Sequence, residues 1–501
     1  MSYAELARLL SQSVTVVAPE LILIATVCVM FLLGPFLVDD ASRGAPGLGK
    51  RWALLALFAL GMGAWTCFET TAPTTAGGPF VADGLSNFVR MLTFTLGPLL
   101  VLLLSRQIDD GSSAEAQACL LAILAGVNLT SLAADLIGLF LALELVSIPT
   151  YIFLYLPRRD GAMQEATIKY FLLSIFSSAI ALMGMAWLFG AAGTTVLADI
   201  ADKLRGEAGA AGNPAVQTAL AFLIAGLSFR IAAVPFHFYA PDVFQGVNSV
   251  SAAMLSVMPK VAGFAALMRV LSVSGALATM ESAALKLPIQ ELLAILAVLT
   301  MCVGNLLAVR QKQLQRLLAY SSIAHSGYML AGLAVGSTSA TIGGVPALWF
   351  YLAAYGLTTI GVFSLLAGAD ADRQLQHDVE LQGLSQSHPA IALLLAVCLF
   401  GLTGMPPTAG FTGKLNLFMA TWTAEPEWGR WLVMAIAANA AVGASYYLRL
   451  IALMYREAGP EAPERRLAMI PAAAGAACAI GSILIFAAPQ RLWNLAELVS
   501  P

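Results

Sequence analysis

Charge is what this chain has least of. Asp, Glu, Lys and Arg together make up 11% of its 501 residues, against 59% hydrophobic residues and a mean hydropathy of +0.82. A soluble globular chain is typically about 25% charged, so these few charges cannot cover a soluble globule of this size. Aromatic content is an ordinary 9%. Long unbroken apolar runs point to helices rather than to the alternating strands of a barrel.

Other absences exclude whole classes of chemistry. The six cysteines (Cys28, Cys67, Cys119, Cys302, Cys398, Cys478) are scattered through apolar segments with no CxxC spacing. They read as small buried hydrophobes rather than as metal or iron–sulfur ligands. No GxGxxG follows a strand and there is no P-loop, so the chain by itself should hold no nucleotide and no redox centre. The net charge is -3, with no basic tract suited to nucleic acid. The stretch MSYAELARLLSQS lacks a charged segment followed by an apolar core, so no cleavable signal peptide is expected.

What is present is an all-α polytopic membrane protein. Requiring about 20 apolar residues per crossing places spans near 15–38, 51–69, 85–105, 116–133, 135–156, 167–190, 215–238, 247–270, 288–308, 317–335, 344–368, 389–421, 430–453 and 467–487, fourteen in all. The segment 389–421 is longer than one span needs and is interrupted by GMPPTAGFTGK, which predicts a broken helix. Loops after odd-numbered spans hold thirteen basic residues (Arg43, Lys50, Arg51, Arg106, Arg158, Arg159, Arg310, Lys312, Arg316, Arg373, Arg456, Arg465, Arg466). The other side holds six (Arg8, Lys203, Arg205, Lys286, Arg430, Arg491). Basic loops stay inside, so both termini are expected on the outer side.

Span seven, interrupted by Arg230 and Pro235, has a counterpart five spans later in span twelve, interrupted by Pro406, Pro407 and Lys414. An odd offset inverts one copy relative to the other, and paired broken helices are the mark of inverted-repeat transporters. The expected organisation is helices 1–3 over 1–115, a first five-helix repeat over 116–275, a second over 286–455, and helix 14 with its tail over 456–501.

Charges inside hydrocarbon are costly, so each one needs a use. Glu144 lies in GLFLALELVSIPTYIFLYL, Arg230 in GLSFRIAAVPFHFYAPDVFQG, Lys260 in SAAMLSVMPKVAGFAALM and Lys414 just past the break in span twelve. His237 follows Arg230 by seven residues, two helical turns and about 10 Å along the axis, so it is expected on the same face. His325 is a further titratable group, and Lys169 sits near the start of span six. Each also has a plain structural reading: an ion pair fixing helix register, a lysine snorkelling to the interface, a hydrogen-bonded core histidine. Asp242 reads as a helix-end or loop carboxylate.

No constellation suits hydrolysis or nucleophilic catalysis. A lysine buried in low dielectric loses its preference for the charged form and a nearby carboxylate restores it, so a chain of lysines governed by a Glu–cation pair can gain and release protons. The cargo fits H⁺, with Na⁺ as the competitor.

The wordings ELVSIPTY, EATIKYFLLSIFSSA, VPFHFYAPDVFQG, GNLLAVRQKQLQRLLAYSSIAHSGYML and GMPPTAGFTGK resemble the antiporter-like membrane subunits of respiratory complex I, nearest to the subunit N branch, over roughly residues 120–450. The resemblance implies a half-channel in spans four to eight, a second in spans nine to thirteen, and a polar axis joining them. It places Glu144, Lys260 and Lys414 at the family's span-five glutamate, central lysine and broken-helix lysine, with His237, His325 and Lys169 at further polar positions. One position departs: the family usually carries lysine where this chain has Arg230. Arginine is not deprotonated in proteins, so Arg230 is expected to act as a fixed charge while Lys260 and Lys414 carry the proton.

The resemblance further implies a bacterial inner-membrane NADH:quinone oxidoreductase. FMN, iron–sulfur clusters and quinone would be held by partner subunits and no cofactor by this chain. Its partners would be the other antiporter-like and small membrane subunits, the peripheral NADH-oxidising arm, and the lipid bilayer. Three alternatives stay open: a subunit of a multisubunit Na⁺/H⁺ antiporter, a non-pumping membrane spacer in a redox complex, and the same pumping role fed by another electron-input module.

Overall fold

The structure, a computed structural model, describes residues 13–37, 47–69, 78–156, 160–206, 213–273, 286–336, 342–371, 373–424, 428–457 and 465–499. The expected positions of the two chain termini, and Arg8, Arg43, Arg158 and Arg159 of the orientation count, lie outside these residues. Among the described residues the fold is all-helical, the only β pairing being the isolated bridges Phe80–Ala133, Asp135–Val196 and Gln313–His377.

The helices are α1 (Ala18–Leu33), α2 (Leu48–Glu69), α3 (Gly84–Leu104), α4 (Ser113–Leu132), α5 (Leu136–Tyr155), α6 (Gly161–Ala192), α7 (Leu197–Gly206), α8 (Pro214–Arg230), α9 (Tyr239–Gly246), α10 (Ser249–Val273), α11 (Lys286–Val309), α12 (Leu314–Val335), α13 (Gly344–Ala369), α14 (Leu384–Ser387), α15 (Pro389–Thr403), α16 (Ala409–Trp422), α17 (Trp428–Met454), α18 (Met469–Ala487) and α19 (Pro489–Glu497). Local sequence sets several of their starts. Asp83 and Ser86 form a reciprocal capping box at α3, and the Asp135 and Asp160 carboxylates accept from Gly138 and Met163 backbone N–H groups at α5 and α6. Each satisfies donors that a helix N-terminus leaves orphaned.

Nine helical segments among the described residues are long and apolar enough to cross a membrane: Gly84–Leu104, Asp110–Leu132, Leu136–Tyr155, Gly161–Ala192, Ser249–Val273, Pro288–Val309, Gly344–Ala369, Trp428–Met454 and Met469–Ala487. Some of the other expected spans are shorter or more polar for visible reasons. Helices α1, α8 and α15 are apolar but shorter. The last two stop at Arg230 and Thr403, where the chain breaks. Helix α12 is long enough but carries Ser321, Ser322, His325 and Ser326.

By internal contacts the chain forms two compact units. One comprises Met1–Arg230, Met258–Lys286 and Val499–Pro501; the other comprises Ile231–Val257 and Leu287–Leu498. In the first, α4 is buried almost throughout and packs on α1, α3 and α5, while α6 lies along α8. The α6–α8 approach depends on glycine. A Cβ on Gly226 would stand 2.7 Å from the backbone nitrogen of Ala181, and one on Gly184 would stand 2.8 Å from the carbonyl oxygen of Ala219. In the second unit, α13 is the buried centre, packed by α12, α15, α16, α18 and α19.

Two expectations are corrected. Helix α8 ends at Arg230, and Ile231–Phe238 is not helical. The two-turn spacing that put His237 on the face of Arg230 therefore has no helix to act through. The cysteines are all free, but only Cys119, Cys398 and Cys478 are buried; Cys67 and Cys302 are half-buried and Cys28 is exposed. In a membrane chain an outward-facing helix side is solvated by lipid, so an apolar thiol need not be inside the protein.

Candidate functional site

The first unit brings Glu144 and Arg230 together. Glu144 lies in the middle of α5, and Arg230 is the last residue of α8, where the negative end of the helix dipole favours a cation. The Arg230 Nη2 is 3.4 Å from Glu144 Oε1, and Nη1 donates to Ser147 Oγ at 2.5 Å. Ser147 follows Glu144 by three residues, so both face the same way on α5. From α6, Ser178 Oγ donates to the same Glu144 oxygen at 2.6 Å. The carboxylate thus has one short hydroxyl bond and one long charged contact. A 3.4 Å separation is outside the usual range of a good N–H···O bond, so the ion pair is loose. Around it, Tyr151 donates to Ser174 at 2.8 Å, and Tyr170 stands between Tyr151 and Phe229 at ring separations of 5.8 Å each.

Lys260 is in the same unit and is 2% exposed. It follows Pro259 within α10, and proline has no N–H to give the preceding turn. Lys169 is on the outside of α6, paired with Glu165 one turn earlier at 2.7 Å, both side chains being well exposed.

The second unit holds Lys414 and His325. Helix α15 ends at Thr403 and is followed by Gly404 in a left-handed conformation (φ 82°), leaving its last carbonyls without helical donors. Lys414, on α16 across the break, supplies them: Nζ donates to the Leu402 carbonyl at 2.9 Å and to the Thr403 carbonyl at 2.8 Å. A Cβ at Gly404 would stand 2.6 Å from Lys414 Cδ, so glycine is needed there both for the backbone angle and for the passage of the lysine stem. The ammonium also sits over the Tyr328 ring, 5.0 Å from its centroid. A helix C-terminus and an aromatic face stabilise this cation here.

His325 is 1% exposed. Its Nδ1 is 2.6 Å from the Tyr351 hydroxyl and its Nε2 is 2.9 Å from the Tyr447 hydroxyl. His237 lies half-buried in the irregular segment before α9, with its Nδ1 enclosed and without a hydrogen-bond partner among the described residues. Asp242, in the first turn of α9, pairs with Arg316 at 2.7 Å, which fits its reading as a helix-end carboxylate. No group of three His, Cys, Asp or Glu side chains that could hold a metal ion occurs among the described residues.

Several polar partners escaped the reading of the sequence. Ser147 is visible in ELVSIPTY once Glu144 is placed on a helix. Ser178, Tyr351 and Tyr447 come from other helices, and a lone sequence does not say which helices touch. A second buried ion pair also went unnoticed: Arg90 of α3 grips Glu20 of α1 through Nε at 2.9 Å and Nη2 at 2.6 Å, and donates to the Val16 carbonyl at 2.5 Å. Arg269 of α10 likewise holds Asp83 at 2.6 and 2.9 Å and the Ser131 carbonyl.

The model of the family described as "NADH:quinone oxidoreductase/Mrp antiporter, TM" matches residues 133–439. An NADH-quinone oxidoreductase subunit N from Trichlorobacter lovleyi is 36% identical over 90% of this chain and 89% of its own length. A chain in the structure of respiratory complex I from Thermus thermophilus is 31% identical, covering 95% of this chain and 98% of that one with a TM-score of 0.78. A chain of the Mrp complex from Dietzia sp. has a TM-score of 0.78 over 96% of both chains at 20% identity, a likeness of fold alone. This chain therefore belongs to the NADH:quinone oxidoreductase/Mrp antiporter membrane family, among the proteins named NADH-quinone oxidoreductase subunit N.

Proposed function

We infer that the chain is the proton-translocating membrane subunit of an NADH:quinone oxidoreductase, driven by quinone reduction elsewhere in the complex and holding no redox centre of its own. The observation that carries this is the pairing of whole-length similarity to subunit N proteins with two kinds of intramembrane cation site. One is a loose Glu144–Arg230 pair; the other is Lys414 bound to the open end of a broken helix. In this reading Lys260 and Lys414 carry the proton, with Lys169, His237 and His325 as secondary relay groups. Arg230 acts as a fixed charge whose distance from Glu144 biases Lys260.

The finer architecture belongs to the same proposal. The nine long apolar segments, together with α1, α2, α8 with its continuation, α12, and the broken α15–α16 pair, make fourteen spans. Residues 116–275 and 286–455 form two inverted five-helix repeats, and both termini face outward from the bacterial inner membrane. The partners are the other membrane subunits and a peripheral NADH-oxidising arm that carries FMN and iron–sulfur clusters. The multisubunit Na⁺/H⁺ antiporter reading has less support, because identity to the Mrp chain is 20% against 31% for the complex I chain.

Gentle-detergent purification of the tagged chain from its native membrane, with mass spectrometry of what accompanies it, tests the reading. Co-purification of NADH-oxidising and iron–sulfur subunits is expected. Recovery of small antiporter subunits alone, with sodium-dependent and NADH-independent ΔpH formation, would replace it with cation/proton exchange.

A further inference from the structure

Three helices of the second unit converge on one line of polar side chains. Ser321 and His325 are four residues apart on α12, hence stacked on one face. Tyr447 of α17 places its hydroxyl between them, in contact with Ser321 Oγ and 2.9 Å from His325 Nε2. On the other side of the imidazole, Tyr351 of α13 has its hydroxyl 2.6 Å from Nδ1. All four side chains are 2% exposed or less. The Tyr351 ring is packed against Gly413, where a Cβ would meet it at 2.7 Å. The Cβ and ring base of Tyr351 therefore lie beside the turn of α16 that carries Lys414.

We propose that Tyr447 and Tyr351 are proton-carrying residues, joined through His325 into a wire, Ser321–Tyr447–His325–Tyr351, that serves Lys414. The inference rests on the proton-translocating role above. A neutral imidazole has one N–H donor and one bare acceptor nitrogen, so its two tyrosine partners take opposite parts: one hydroxyl donates to the ring and the other accepts from it. Both of these ring partners are hydroxyls, and a hydroxyl can donate and accept at once.

The transfer balances without leaving a charge on the wire. With Nδ1 protonated and Lys414 neutral, Ser321 gives its proton to the Tyr447 oxygen, Tyr447 gives its own to Nε2, Nδ1–H passes to the Tyr351 oxygen, and the Tyr351 proton goes through a water molecule to the Lys414 amine. A water molecule returns a proton to Ser321. Each group of the wire gains one proton and loses one. Afterwards every bond in the wire points the other way, and a second proton cannot follow until the hydroxyls and the imidazole turn back. A wire of this kind passes one proton per cycle of hop and turn.

The test uses the intact complex reconstituted in vesicles, reading NADH oxidation and proton uptake together, so that a loss of protons per NADH is separated from loss of assembly. Tyr447→Phe and Tyr351→Phe each delete one oxygen and keep the ring. Either is expected to lower protons per NADH to the value of Lys414→Ala while the uncoupled oxidation rate holds. Tyr355→Phe, whose hydroxyl donates to Ser322 at 2.8 Å, should keep the parental ratio. If one tyrosine variant does not assemble, the other or Ser321→Ala interrupts the same wire. Should the tyrosine variants keep the parental ratio while Lys414→Ala lowers it, the wire is wrong and the role of Lys414 stands. If Lys414→Ala also keeps it, both the wire and the pumping assignment fall.

Discussion

The guanidinium of Arg230 stands 3.4 Å from the carboxylate of Glu144, near enough to feel its charge and too far for a good hydrogen bond. A pair held at that distance can tighten or loosen with small helix movements. Arg230 is meanwhile anchored by Ser147 at 2.5 Å, and Ser178 occupies the carboxylate. The arrangement suits a fixed charge whose influence is modulated, rather than a group that gives up its proton.

Charge, then, should matter more than identity at position 230. Arg230→Lys keeps the cation and is expected to retain most of the proton yield per NADH. Arg230→Gln should lose as much as Lys260→Ala. A rise in pumping with Arg230→Lys, alongside no change in Lys260→Ala, would reverse the assigned roles.

Lys414 has a structural duty besides its proposed chemical one. Lys414→Met leaves the Leu402 and Thr403 carbonyls open. Hydrogen bonds to charged groups contribute about 1.5–3 kcal/mol each, so thermal unfolding of the purified complex should begin earlier as pumping falls. An unshifted melting curve would show that water replaces the ammonium at little cost.

The Glu20–Arg90 pair is expected to be structural. Its two side chains are 0% and 3% exposed, and removing one partner of such a pair costs roughly 3–5 kcal/mol, because the other charge is left buried. Glu20→Gln should reduce the amount of assembled complex, while the complex that does assemble keeps the parental protons per NADH. A normal yield of complex with a lowered ratio would move this pair into the proton path.

Helix spacing provides an independent handle on Arg230. Gly226 lies one turn before it, on the same face of α8, and touches Ala181 of α6. Gly226→Leu should force the two helices apart, at a cost of about 1–3 kcal/mol from overpacking. It should also carry Arg230 away from Ser147 and lower the proton yield. Retention of the full yield would mean that the geometry of the pair tolerates a shift of that size.

The general architecture was legible because hydrocarbon leaves so little choice: apolar length gives helices, and Pro235, Pro406 and Pro407 mark where they stop. Glu144, Lys260 and Lys414 stood out because each is a charge in an apolar run. Their surroundings were not legible in the same way. Ser178 and Tyr447 are ordinary polar residues whose importance depends on which helix faces which, and one sequence does not state those contacts. Glu20 and Arg90 escaped because each sits near an end of an expected span, where a charge normally reaches water. The His237 expectation failed because it extended helical geometry through a segment that proline had already ended.

The most direct measurement is NADH-driven proton uptake by vesicles containing the intact complex in sodium-free medium, comparing the parental chain with Lys260→Ala. The parental complex is expected to take up protons without sodium, and the variant to move fewer protons per NADH at an equal uncoupled oxidation rate. An unchanged ratio, or uptake that requires sodium and not NADH, would contradict it.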